Sequence, residues 1–136
     1  MKRLFLGLIA SVFFMTAQAA KPQDAPRVYF VSPKDGAKVA KTLKVKFGVR
    51  GMALKPAGES MDDKTKGHHH LIVDGTFVAK DQVVPTDEKH IHFGKAQTET
   101  EITLAPGTHT LTLQFADGAH RSYGEALSAT IKVLVE

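Results

Sequence analysis

Residues 42–49 read TLKVKFGV. Leu43, Val45, Phe47 and Val49 point one way along an extended chain, and Lys44 and Lys46 point the other. A two-residue apolar period of this kind is the mark of a half-buried β-strand. The same period recurs outward in both directions. Residues 27–31 (RVYFV) make an earlier strand, with a turn at PKDG from Pro33 to Gly36. Downstream, residues 69–74 form a strand, and the Asp74–Gly75 turn leads into another at 76–79. Residues 90–94 are short. Residues 98–104 put Glu99 and Glu101 on the wet face and Ile102 and Leu104 inside. After the APGT turn from Ala105 to Thr108, residues 110–116 turn Leu111, Leu113 and Phe115 inward, and 127–135 close the domain. Seven or eight short strands, punctuated by Asp-Gly turns at 35–36, 74–75 and 117–118, predict an all-β fold. The expected architecture is an antiparallel immunoglobulin-like β-sandwich, with a small closed barrel as the alternative.

The ends and the composition narrow the class. Lys2 and Arg3 precede an apolar run from Leu4 to Met15, and Ala17-Gln18-Ala19 is a small-x-small cleavage signal. Residues 1–19 are therefore expected to be a cleaved signal peptide, with 20–136 as one β-sandwich domain in the periplasm. No second long apolar stretch follows, so no membrane span is expected in the mature chain. Loss of Lys2 and Arg3 takes the formal charge from +4 to +2. With no arginine-rich stripe interleaved with aromatics, nucleic acid is not an expected partner. The chain has no cysteine, so no disulfide staples it and packing must hold it.

All seven histidines lie between His68 and His120. Imidazole is the donor that suits copper and zinc alike. On a strand, His68 and His70 share one face and His69 takes the other. His90 and His92 repeat that i, i+2 spacing. Two such pairs on neighbouring strands would make a four-nitrogen site. Met61 lies in the long polar stretch leading to His68, and a thioether beside imidazoles favours copper. The expected metal ligands are thus His68, His70, His90 and His92, with His120 and Met61 as additions. Asp87 and Glu88 stand where they can orient His90. His109 reads as a half-buried ring bonded to a loop carbonyl, at the end of the fold opposite His120. Neutral imidazoles bind metal, so affinity is expected to fall as pH drops through about 6.5. The G-x-S-x-G, S-x-x-K and H-E-x-x-H signatures are all missing, and no catalytic residue is assigned.

GHHHLIVDG from Gly67 to Gly75, HIHFG from His90 to Gly94, and the LAPGTHTL segment containing His109 carry a family resemblance. Together with VYFVSPKDGAKV from Val28 to Val39, they resemble a bacterial family of small exported proteins known only as a domain of unknown function. The resemblance implies export, an immunoglobulin-like β-fold and a histidine-rich site. It places His68, His69, His70, His90, His92, His109 and His120 on motif positions, along with Gly94 and Gln97. It supplies no activity. The expected function is binding of copper, ahead of zinc, for buffering or delivery, with a periplasmic protein as a further partner. The competing expectation is a cell-envelope interaction module whose histidines form a structural or partner-binding polar network.

Overall fold

The alternating octet lies in β3, and its apolar face is half of the core. The computed structural model describes residues 25–136; the signal-peptide expectation for 1–19 lies outside them. The strands are β1 (Arg27–Ser32), β2 (Ala37–Val39), β3 (Thr42–Arg50), β4 (Ala53–Leu54), β5 (Lys66–Val73), β6 (His90–His92), β7 (Glu99–Thr103), β8 (Gly107–Ala116) and β9 (Ser128–Val135). One sheet has the order β1-β3-β7. The other runs β2-β9-β8-β5, and β4 and β6 both pair with β5. Leu43, Val45 and Phe47 from the first sheet meet Leu71, Leu111, Leu113 and Phe115 from the second. The two sheets form the expected immunoglobulin-like sandwich, because each needs the other to cover its apolar face. Opposite faces behave as the alternation requires: Lys44 and Lys46 approach Glu99 at 4.0 Å in water. Such exposed pairs contribute little.

Three details depart from expectation. Strands β2 and β4 are three and two residues long, too short to show a period, and both pair in parallel, with β9 and β5. No strand forms at 76–79. That segment crosses the outer face of β5 and β8 instead, and side chains of β8 and its neighbours take up its backbone groups. Val78 N–H donates to Gln114 Oε1 at 3.0 Å, Thr112 Oγ1 donates to the Gly75 carbonyl at 3.2 Å, and Ser122 Oγ donates to the Val78 carbonyl at 2.7 Å. Buried backbone groups must find partners, and here they find side chains where a strand would offer a ladder. The cover makes a third layer, so Ile72, Thr112 and Gln114 are buried although they face away from the sandwich core.

Strand parity sends His69 into that core. Its ring lies edge-on between Phe47 (centroids 4.9 Å apart) and Phe115 (5.0 Å), and neither ring nitrogen has a hydrogen-bond partner. Leaving a buried polar group unbonded costs about 1–3 kcal/mol. His69→Leu is therefore expected to raise the unfolding free energy by about that amount, read from urea denaturation at pH 7.5. A loss of stability on that change would show that the imidazole is bonded after all.

Candidate metal centre

His68 and His70 point to the outer face of β5, and both are buried there. In the β5–β6 ladder His70 stands opposite His92, and in the β5–β8 ladder His68 stands opposite Ala116, at the very end of β8. Directly opposed residues share a face, so His92 falls beside His70. Just past Ala116 the chain turns back, and His120 comes down over His68. One ring nitrogen from each of His68, His70, His92 and His120 lies within 4.8 Å of all the others. His92 Nε2 is 3.2 Å from His68 Nε2 and 3.1 Å from His120 Nε2. His68 and His70 are buried, His120 is half-buried and His92 is exposed.

The donor chemistry fits a metal ion. A neutral imidazole nitrogen carries either a proton or one lone pair, so His92 Nε2 cannot bond two facing nitrogens well. A tetrahedral ion with bonds of about 2.0–2.1 Å holds its nitrogens about 3.3–3.4 Å apart and uses every lone pair. Burial is the main force on the charges. It pushes His70 down to about 2 and His68 down to about 4, and it lowers His92; mutual repulsion among the rings adds to each shift. These three rings are neutral at pH 7, the form that coordinates. His68 Nδ1 and His70 Nδ1 are buried without hydrogen-bond partners.

His90, also expected as a ligand, stands apart from the four-ring group. His90 lies opposite Ile72, one ladder repeat beyond His92, and its Nδ1 is 2.7 Å from Asp87 Oδ1. Asp87 thus orients His90 as expected, but away from the four-ring group. Met61 is half exposed on a loop tied down by its backbone: its carbonyl accepts from Arg121 at 3.1 Å. Met52 packs against the core. His109 sits at the far end of β8, between Asp74 Oδ2 and the Ala105 carbonyl, both at 2.8 Å. The sequence did not single out Gly94 as a packing residue. A Cβ there would collide with His92 Cε1 and lie 3.0 Å from its Nε2, so the ring rests against the glycine.

Fold and site together define an immunoglobulin-like β-sandwich whose outer face carries a histidine cluster able to hold a metal ion. Residues 45–136 match the model of a family described as a domain of unknown function, DUF4399, and the chain belongs to that family. No curated protein sequence matches the chain. Among solved structures it is similar to the fibronectin(III)-like modules of Clostridium thermocellum CbhA, at 18% identity and a TM-score of 0.50. That match covers 85% of this chain and 49% of the other, so the chain spans about half the length of its structural relative. At that identity the likeness concerns the fold alone.

Two outcomes follow. Gly94→Ala is expected to leave folding intact, because the exposed His92 ring can swing away, yet to weaken metal binding about tenfold or more, as loss of a ligand's support does. Unchanged affinity by calorimetry would separate Gly94 from the site. The second concerns pH. His68, His69 and His70 are all pushed well below 6.5, His69 to about 4. Their folded values lie below their unfolded ones, so their contribution to stability is full above about pH 6.5 and is lost as pH falls toward 4. The metal-free protein is expected to lose several kcal/mol between pH 7.5 and 4.5, since each tenfold fall in a ring's proton affinity on folding is worth on the order of 1.4 kcal/mol. A flat urea midpoint over that range would refute it. Proton competition for His68 and His70 likewise begins well below the 6.5 expected of a free imidazole.

Proposed function

We propose that this protein binds a transition-metal ion, copper ahead of zinc, at His68, His70, His92 and His120, and buffers or delivers it in the periplasm. The observation that carries the reading is the convergence of four imidazole nitrogens within 4.8 Å of one another. Copper stands ahead of zinc because an all-nitrogen site follows the usual order of divalent affinities, in which copper exceeds zinc. Exchange is supported by the mixed burial: the β5 pair anchors the ion, and exposed His92 gives it a way in and out. The bound ion would supply plain coordination by neutral imidazoles. Periplasmic location rests on the sequence of residues 1–19.

The competing reading, a structural polar network, calls for rings that each bond a backbone carbonyl. Among the described histidines only His109 does so. Ser122, the hydroxyl nearest the site in sequence, donates to the Val78 carbonyl and accepts from Gly124 N–H, a structural role.

The test is titration of the purified protein with Cu(II), Cu(I) and Zn(II) by calorimetry and elemental analysis. One ion per chain is expected, with a Kd tighter than about 10 µM. The double change His68→Ala/His70→Ala should abolish binding, His92→Ala should weaken it, and His90→Ala should leave it within about twofold. Failure of all three ions to bind would remove the proposal, and binding that survives loss of His68 and His70 would remove the ligand set.

A further inference from the structure

We propose that Asp117, which touches no ion, positions His120 for the metal and thereby sets the affinity of the site. This inference rests on the metal reading above. Asp117 is buried, and three backbone N–H groups of the turn after β8 are bonded to it. Its Oδ1 accepts the backbone N–H of Ala119 at 3.0 Å and of Arg121 at 2.9 Å. Its Oδ2 accepts from Lys64 Nζ at 2.7 Å and Arg121 Nε at 2.9 Å. Its carbonyl accepts the His120 N–H at 2.9 Å. The three residues from Ala119 to Arg121 therefore hang from one carboxylate and one carbonyl.

His120 needs this support. Its φ is +63°, in the left-handed region that a residue with a side chain rarely adopts. Its carbonyl accepts from Val84 N–H at 2.9 Å, so the backbone is gripped on both sides. The ring, by contrast, has a single hydrogen-bond contact, with His92 Nε2. Apart from its contacts with the His68, His70 and His92 rings, backbone conformation decides where that ring stands.

The same frame reaches His92. Ala57 N–H donates to the Gly94 carbonyl at 2.9 Å, and the next residue, Gly58, donates to the Gly118 carbonyl at 3.0 Å. A Cβ on Gly118 would run into the Glu59 carbonyl, so the two segments are in direct contact. Lys64, at the end of this loop, closes on Asp117. The loop is a strap across the two turns that carry the solvent-side ligands, and Asp117 is its anchor.

The experiment uses the full chain with Cu(II), read by calorimetry and by electron paramagnetic resonance, which counts coordinated nitrogens. Asp117→Ala is expected to weaken binding about 10- to 100-fold and to lower the count from four nitrogens to three. His120→Ala should give the same spectrum, and adding Asp117→Ala to it should cost nothing more, as coupled residues require. Asp117→Asn keeps the Oδ1 acceptor and loses the ion pairs. It is expected to weaken binding several-fold, again only while His120 is present, and it decides the matter if the alanine variant does not fold. Wild-type affinity in either variant, or an equal loss with and without His120, overturns the inference alone. A wild-type chain that binds no Cu(II) removes copper from the reading above and takes this inference with it.

Discussion

The pairing of β5 with β8 obliges three consecutive imidazoles to live in two environments. Alternation along an extended chain allows no other result: His69 enters the apolar interior, and His68 and His70 leave it. A one-residue slip of that ladder would put two histidines between Phe47 and Phe115 and only one on the outer face. The apolar residues of β5 hold the register, because Leu71 opposite Leu113 and Val73 opposite Leu111 must stay inside. The core thus fixes the direction in which the histidines point. The site, in turn, depends on a register that is set in the core.

Much of the fold was legible because the strands that build the core are long enough to show their period. Those of β3 and β8 run nine and ten residues, and their apolar faces can be read directly. The short parallel strands and the irregular third layer were not legible. The strands are too short to show a period, and the layer's backbone is satisfied by particular side chains, Gln114 and Ser122 among them, which no local pattern announces. The site divides in the same way. That His68 and His70 share a face follows from spacing, and so does the separation of His69. That His92 falls beside His70 while His90 falls beside Ile72 depends on the β5–β6 register, which is a tertiary fact. His120 joined through a turn whose Asp-Gly signal marked a reversal of the chain and said nothing of a buried carboxylate organising it.

The cost of the arrangement is visible in the charges. Neutral imidazoles packed side by side have little to offer one another, and burial makes protonation of His68 and His70 unfavourable. At the other end of β8 the chain treats a histidine differently. Asp74 raises the affinity of His109 for its proton, and the Ala105 carbonyl helps. One strand therefore ends in a histidine braced by an acid and, at its opposite end, approaches a cluster with no acid among its rings. The first arrangement is complete in itself, whereas the second has lone pairs left to use.

The four converging rings come from three stretches of chain far apart in sequence: β5, β6 and the turn after β8. A chain without cysteine has no covalent tie between such stretches. An ion at this point would act as a reversible cross-link, closing loops of about 20 and 30 residues much as a disulfide would. Because unfolding scatters the donors, occupancy and folding would be thermodynamically linked, and the native state would gain in proportion to the logarithm of free ion over Kd. The protein's lifetime in its compartment would then follow the supply of that ion.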